Sequence, residues 1–166
     1  MHLEINRINL KLHSEIAIQF RADSFFVSFG SNKDFYGDDG MGAKRYLDWL
    51  TNNNVSAYHV WDNQNIVGQI ELGNYLNDTT IGYVNLYYLA PSYRNKGLGK
   101  ILNDFTTAYF KERKIKKILL SVSLTNTYAQ KFYEKQGWQN LGFRFSEEEL
   151  LNKKCEQLLL MQKILE

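Results

Sequence analysis

The stretch that most constrains the fold of this chain runs from Tyr83 to Lys100, YVNLYYLAPSYRNKGLGK. It begins as an aromatic, apolar strand, breaks at the single proline of the sequence, and continues as a basic loop with two glycines. After the loop, apolar residues recur at the spacing of one buried helix face, at Leu98, Ile101, Leu102, Phe105, Ala108 and Tyr109. Strand, loop and helix therefore form one supersecondary unit.

The loop of this unit has the properties of a pyrophosphate-binding site. Gly97 and Gly99 permit a tight turn and a close approach of the backbone to a ligand, because neither residue carries a Cβ. The first turn of the following helix offers unpaired N–H groups and the positive end of its dipole to an anion. Arg94, Lys96 and Lys100 add positive charge around the same point. We therefore predict that this loop binds a phosphate-bearing ligand.

Two segments of the chain resemble the signatures of the GNAT superfamily of N-acetyltransferases. The loop Arg94-Asn95-Lys96-Gly97-Leu98-Gly99 is similar to that family's Arg/Gln-x-x-Gly-x-Gly/Ala loop. The segment 126–138 resembles the second signature, because it presents Asn126, Ala129, Tyr133, Gly137 and Trp138 in the family's order. One short glycine pattern recurs by chance in many loops, whereas two signatures at the right separation are specific.

Local periodicity predicts the other elements. In chain order we predict a strand at 2–12, a helix at 15–29 capped by Ser14 and ended by Gly30, a mobile loop at 31–42, a helix at 43–53, a hairpin from 55–61 and 66–72, a connection at 73–81 and the central strand at 82–90. After the long helix we predict a strand at 116–123, a helix at 127–136 capped by Asn126, a strand at 138–145, a charged connection at 146–154 and a last strand at 155–165.

This order predicts a single domain over residues 1–166 with a mixed α/β (α+β) fold. We expect a mixed, mostly antiparallel sheet of about seven strands, flanked by about four helices. The strands at 82–90 and 116–123 form its parallel pair, joined by a right-handed crossover through the long helix. The resemblance implies that these two strands splay apart and that the gap admits a pantetheine arm.

The resemblance also implies an enzyme that moves an acetyl group from acetyl-CoA to a primary amine. The loop would hold the pyrophosphate through Arg94, Asn95, Lys96, Gly97, Leu98, Gly99 and Lys100. Backbone groups of Tyr87, Tyr88 and Leu89 would pair with the pantetheine amides as an added strand does, and an N–H there would polarise the thioester carbonyl. From the second signature, Asn126, Ala129 and Phe132 are expected at the same ligand.

Two residues are predicted to move protons. Tyr133 is the expected general acid by resemblance, because a phenol with a pKa of about 10 is protonated at neutral pH and can give its proton to a thiolate. Tyr128 is its rival but falls off that helix face. Glu71 is the candidate general base, and a water relay without a fixed base is the alternative. Glu71 can equally be a solvent-facing strand carboxylate.

The acceptor is the least defined part of the prediction. In the family, the first two helices and their connecting loop form one wall of the acceptor site, which makes Phe26, Phe35, Tyr36 and Tyr46 the candidate substrate contacts. A small-molecule amine is favoured over a protein because these aromatic residues can enclose a pocket. An antibiotic, an amino acid, a protein N-terminus or a lysine stays open as acceptor. A non-catalytic acetyl-CoA sensor or interaction module is the alternative from another class.

Composition excludes several other roles. A net charge of +2 is too small to indicate a nucleic-acid partner, although residues 91–117 hold eight Lys or Arg against two acids. Cys155 is the only cysteine, which is consistent with a reducing compartment, and we expect it in the core or in a strand. No apolar run approaches membrane-spanning length, so a cytoplasmic protein is expected. We expect no metal, because nothing near His59 completes a ligand set, and we interpret His59 as a hydrogen-bonded strand histidine. The final strands offer an edge for a homodimer.

Overall fold

The computed structural model describes residues 1–52, 54–144 and 158–166 and is built on one seven-stranded sheet. Its strands are β1 (Leu3–Arg7), β2 (Ser56–Asp62), β3 (Asn65–Tyr75), β4 (Asp78–Leu89), β5 (Lys117–Ser123), β6 (Gln139–Phe143) and β7 (Leu158–Ile164). Its helices are α1 (Leu10–Phe29), α2 (Lys33–Tyr36), α3 (Gly42–Leu50), α4 (Gly99–Glu112) and α5 (Thr127–Lys135). The predicted mixed α/β fold is confirmed. Cys155 and the predicted connection at 146–154 lie outside the described residues.

The strand order is β1-β2-β3-β4-β5-β7-β6, and every neighbouring pair is antiparallel except β4 and β5. Their parallel pairing joins residues 81–84 to residues 117–120 and then stops. Beyond Val84, β4 continues beside β3 alone, while the rest of β5 pairs with β7. The two strands therefore diverge from Asn85 onward. The predicted splayed parallel pair is present.

Each face of the sheet carries its own core. One core joins the sheet to α4 and α5 and contains Ile70, Leu72, Leu102, Phe110 and Ile118, all at most 2% exposed. The other is smaller and joins α1, α2 and α3 to the sheet; its buried members are Ala17, Ala22, Phe35, Tyr46, Leu50 and Ala57. Because side chains alternate between the faces of a strand, β3 and β4 contribute to both cores. None of the described helices combines the length and hydropathy that a membrane span needs.

The first helix is longer than predicted. It begins at Leu10, so β1 ends at Arg7 and the predicted strand at 2–12 is too long. Asn9 caps this helix, because its side chain accepts a hydrogen bond from the Leu12 amide at 3.2 Å, and Ser14 therefore lies inside the element. The apolar residues of 8–12 alternate in sequence, which resembles a strand, yet they form the first turn before a break in the helix. Gly30 ends the helix as predicted, at φ 76°.

The predicted connection at 73–81 is wrong, because these residues form the tip of a hairpin. Strand β3 runs to Tyr75 and β4 starts at Asp78, so only Leu76 and Asn77 connect them. Both have positive φ angles, 49° and 62°, as a type I′ turn requires. Leucine is an unusual residue in such a turn, so the sequence did not indicate a hairpin here. The predicted loop at 31–42 likewise contains the short helix α2.

Candidate active site

The loop between β4 and α4 presents unused backbone amides to one end of the sheet. Asn95 and Gly97 adopt left-handed backbone conformations, with φ angles of 59° and 75°. Leu98 is the residue before α4, and no side chain caps this helix end. In the part of the chain that the structure describes, the amides of residues 95–100 donate to no backbone carbonyl. Free amides that converge at a helix N-terminus form an anion-binding site.

Gly99 was predicted to allow a close approach to a ligand, and the structure shows that it also allows α5 to pack against α4. A Cβ at this position would lie 2.8 Å from the Cζ atom of Phe132 and 3.0 Å from its Cε2 atom. The glycine therefore lets the ring of Phe132, from α5, pack against the first turn of α4. Gly97, by contrast, has open space around its Cα, and its positive φ is the feature that needs glycine.

Arg94 is engaged away from the loop amides. Its Nε donates to the carbonyl oxygen of Leu89 at 2.7 Å, and its terminal nitrogen pairs with the Asp23 carboxylate at 3.0 Å. The guanidinium also lies 5.3 Å from the centre of the Tyr88 ring. In this conformation Arg94 fastens α1 to the end of β4 rather than facing the loop amides.

Two lysines place positive charge beside the loop. The Nζ of Lys96 lies 5.9 Å from the centre of the Tyr93 ring. The Nζ of Lys100 pairs with Asp104 at 2.6 Å, and both of these side chains are more than half exposed. Contacts of this exposed kind contribute little to stability, so both lysines can turn toward an anion.

Two residues of β4, Tyr87 and Leu89, face the gap and pair with no strand of the described structure on that edge. Ala90 donates its amide to Val67 of β3 at 2.8 Å. Because successive residues of a strand point their amides to opposite edges, Tyr88 also pairs with β3, whereas Tyr87 and Leu89 face the gap left by β5. Of the three predicted backbone contacts, Tyr88 is therefore oriented wrongly, and its hydroxyl instead donates to Asp23 at 2.6 Å.

The second signature, segment 126–138, spans α5 from its N-cap to the residues that follow it. The side chain of Asn126 accepts a hydrogen bond from the Ala129 amide at 3.2 Å, which confirms the predicted cap. Tyr133 lies one helical turn after Ala129, and its ring centre is 6.3 Å from that of Tyr87. Burial raises the pKa of Tyr133, so the phenol is protonated at neutral pH. Tyr128 is 66% exposed and lies away from this contact.

Three buried hydroxyl groups were not predicted. The side-chain oxygens of Tyr87, Thr106 and Thr107 make no hydrogen bond of good geometry in the described part of the chain. Burial raises the pKa of Tyr87, while the neighbouring Thr106 hydroxyl lowers it by less. A buried hydroxyl without a good partner is unfavourable, so the space beside Tyr87 and Thr106, between β4 and α4, is a place for ordered water.

Glu71 lies on the opposite face of the sheet and is completely buried. Its Oε2 accepts hydrogen bonds from the Tyr46 hydroxyl at 2.6 Å and from the Gln69 amide at 2.8 Å. Its Oε1 lies 3.2 Å from the guanidinium of Arg21. The same guanidinium nitrogen donates to the Asn85 carbonyl at 3.0 Å, at the point where β4 and β5 diverge. The interpretation of Glu71 as a solvent-facing carboxylate is therefore wrong.

His59 extends this polar network away from the gap. Its Nε2 lies 2.9 Å from the side-chain oxygen of Gln69, whose amide nitrogen is engaged by Glu71 and Tyr46. His59 must therefore carry its proton on Nε2. Burial lowers the pKa of His59 to about 4, so the ring is neutral. The predicted hydrogen-bonded strand histidine is confirmed. Burial, followed by the charge of Glu71, raises the pKa of Tyr46.

The four predicted acceptor contacts separate into two groups. Phe35 and Tyr46 are each 7% exposed and pack against each other, with ring centres 5.5 Å apart. Both belong to the smaller core, which corrects the expectation that they line a pocket. Phe26 and Tyr36 are 57% and 37% exposed and remain accessible to a ligand.

Sequence reasoning also missed a cavity on the α1 face of the sheet. It has a volume of about 170 Å³ and lies between the C-terminal end of α3 and the β3–β4 hairpin. Its polar lining comes mainly from Asn52, Asn54, Asn74, Asn77 and Asn85, with Trp49 as an aromatic wall. The density of asparagine was the available signal, but for these segments we predicted only a helix at 43–53, a connection at 73–81 and the central strand at 82–90.

A gap in a parallel strand pair beside free loop amides is the arrangement expected of an acyltransferase that uses a coenzyme A thioester. The model of the Acetyltransferase (GNAT) family matches residues 19–138 of this chain, which include the loop, the gap and both signature segments. The chain therefore belongs to the Acetyltransferase (GNAT) family. It is an acyltransferase of the N-acetyltransferase type.

Solved structures share this fold over the whole chain. A GNAT-family acetyltransferase from Staphylococcus aureus is 23% identical, with a TM-score of 0.74 and coverage of 99% of this chain and 100% of that one. The PaiA N-acetyltransferase of Thermoplasma acidophilum, in complex with coenzyme A, is 18% identical, with a TM-score of 0.72 and 99% coverage of both chains. The spermidine N-acetyltransferase of Vibrio cholerae, in complex with CoA and spermine, is 19% identical, with a TM-score of 0.72 and coverage of 98% and 95%. No curated protein matches the sequence significantly.

Proposed function

We propose that this chain acetylates a primary amine of a small molecule by direct attack on acetyl-CoA in a ternary complex. The observation that carries the proposal is the end of the β4–β5 pairing at Val84, beyond which a gap separates the two strands. Glu71 and the asparagine-lined cavity lie on the α1 face, whereas Tyr133 lies on the α5 face. An amine can therefore approach from one face while the departing thiolate receives its proton from the other. The small acceptor is supported by the shared fold of the Vibrio cholerae enzyme, whose complex holds spermine.

The residues of this chain that would hold the cosubstrate are mainly backbone groups. The amides of residues 95–100 would bind the pyrophosphate, with Lys96 and Lys100 adding charge. The amides of Tyr87 and Leu89 would pair with the pantetheine arm, and one of them would polarise the thioester carbonyl. A phosphate contact by the Arg94 side chain would require its guanidinium to leave Asp23. Asn126, Ala129 and Phe132 would act by fixing α5 against the loop.

Tyr133 is our proposed general acid for the thiolate. Replacing it by phenylalanine removes only the hydroxyl, so we expect kcat to fall by about 10²-fold with an unchanged Kd for acetyl-CoA. Tyr128→Phe is the matched control, because this tyrosine is on the same helix and exposed. Steady-state kinetics and calorimetry give the two readouts. If Tyr133→Phe retains the kcat of the unmodified chain, the tyrosine is not the acid.

Glu71 is our proposed proton acceptor on the amine side. Because it is completely buried, a proton reaches it through the Tyr46 hydroxyl, which donates to it at 2.6 Å, or through a water. We expect Glu71→Gln to lower kcat/KM for the amine without changing the Kd for acetyl-CoA. An unchanged kcat/KM in a folded variant would leave a water relay as the base.

The non-catalytic alternative predicts a different pattern. An acetyl-CoA sensor would bind acetyl-CoA but acetylate no member of a broad amine panel, whereas turnover of any amine excludes it.

A homodimer is a separate proposal, since β6 ends the sheet and exposes Leu141 and Phe143 in the described structure. A monomeric mass by light scattering at micromolar concentration would contradict it.

A further inference from the structure

The asparagine-lined cavity points to the chemistry of the acceptor. We propose that it binds the non-reacting part of the acceptor and that this part is an uncharged ring rich in hydroxyl groups, as in an amino sugar. This inference rests on the proposed function, because it assigns the acceptor class of the same site.

The cavity lies within reach of the reacting position. Asn85, in its lining, is the first residue of β4 after the pairing with β5 ends. Tyr87, whose amide faces the gap, lies two residues further along the strand, a distance of about 7 Å at ~3.3 Å per residue. A ring bound in the cavity can therefore present an amine on its near side to the gap.

The lining favours neutral hydroxyl groups over ions. Each asparagine side chain offers one acceptor and two donors, which matches the paired donors and acceptors of neighbouring hydroxyls. The carboxamides of Asn54, Asn77 and Asn85 make no hydrogen bond within residues 1–52, 54–144 and 158–166, so they are available to a ligand. The described lining contains no charged side chain. A polyamine or a carboxylate would find no opposite charge in this lining.

The aromatic wall and the volume fit a single ring. Trp49 is held in place by Tyr46, whose ring stacks at 6.2 Å, and by Arg21, whose guanidinium lies 5.9 Å from the indole centre. A fixed indole face packs against the apolar C–H groups of a sugar ring. A cavity of about 150 Å³ holds one benzene molecule in another protein, so the space of about 170 Å³ accommodates one six-membered ring.

Gly73 keeps the floor of the cavity open. A Cβ at this position would lie 3.2 Å from the carbonyl oxygen of Asn54 and 3.2 Å from the side-chain nitrogen of Asn85. Its φ is not left-handed, so a side chain at this position requires no unusual backbone conformation. Gly73→Val therefore fills the cavity by crowding the Asn54 carbonyl and the Asn85 carboxamide, and Asn85→Ala removes one carboxamide.

The test measures ligand binding directly and does not depend on turnover. D-glucosamine is titrated into the protein with coenzyme A present, and spermidine and L-lysine are the charged comparisons. We expect glucosamine to bind at least ten times more tightly than either, and Gly73→Val and Asn85→Ala to weaken that binding at least tenfold. The exposed Asn65 lies at the other end of β3, so Asn65→Ala should leave glucosamine binding unchanged.

Kinetics then separate the inference from the proposed function. If glucosamine is acetylated, the two cavity variants should raise its KM tenfold with little change in kcat or in the Kd for acetyl-CoA. If glucosamine binds in the cavity but no amine is acetylated, the proposed function fails while the assignment of the cavity stands. No glucosamine binding by the unmodified chain, or equal binding by Gly73→Val, overturns the inference even if another amine is acetylated.

Discussion

The ion pair between Arg21 and Glu71 should be one of the most costly contacts to break. Glu71 is completely buried and Arg21 is 20% exposed, so Arg21→Met leaves a carboxylate in the interior without its counter-charge. Removing one partner of a buried pair costs about 3–5 kcal/mol. Because Tyr46 and Gln69 still donate to Glu71, we expect a value near 3 kcal/mol. In a chain of this length that corresponds to a fall of about 6–12 °C in Tm.

The assay is urea unfolding with a double-mutant cycle. The double variant Arg21→Met, Glu71→Gln should lose less than the sum of the single variants, because a neutral glutamine needs no counter-charge. Arg45→Met is the control, since its pair with Asp39 is 57% exposed on both sides and should contribute far less to stability. A loss of unfolding free energy in Arg21→Met no larger than in Arg45→Met would contradict a stabilising buried ion pair. Additive losses for Arg21→Met and Glu71→Gln would contradict it as well.

Three further predictions concern His59, the Asn126 cap and the contact between Gly99 and Phe132. Because burial lowers the pKa of His59 from 6.5 to about 4, the folded state resists its protonation. The contribution of neutral His59 to the free energy of unfolding is therefore fully present above about pH 6.5 and falls by at most roughly 3 kcal/mol as the pH drops to about 4. Urea unfolding of His59→Gln should show a smaller loss over the same pH range. Asn126→Ala should lose about 1 kcal/mol through the missing cap, while Asn126→Asp keeps it; equal losses in thermal melts would contradict the capping role. Gly99→Ala should displace the Phe132 ring and weaken acetyl-CoA binding by calorimetry, and Phe132→Leu in the same chain should restore it.

The sequence was sufficient for the unit from β4 to α4 because its signals are local. Helical periodicity located α4, and the left-handed glycine at position 97 fits the predicted tight turn. Asn126 was recognisable as a cap from its position before the apolar face of α5. These features depend on neighbouring residues, which a sequence pattern records directly.

The Glu71 network could not be predicted in the same way. Its members come from α1, α3 and β3, and Tyr46 is 25 residues from Glu71 in the chain. Strand β3 is covered by helices on both faces, so alternation does not reveal which polar residues are buried. The cavity was missed for a related reason, since Asn54, Asn77 and Asn85 meet only after α3 and the hairpin have docked.

The two-residue turn of the β3–β4 hairpin offers a route to engineering this protein. Leu76 holds a left-handed conformation while 73% exposed, which costs an L-residue roughly 1–2 kcal/mol without a compensating contact in the described structure. Asparagine or glycine adopts that conformation readily, so Leu76→Asn should raise the melting temperature. Its neighbour Asn77 lines the cavity and would stay unchanged. Thermal tolerance and acceptor preference can therefore be selected independently at adjacent positions of the same turn.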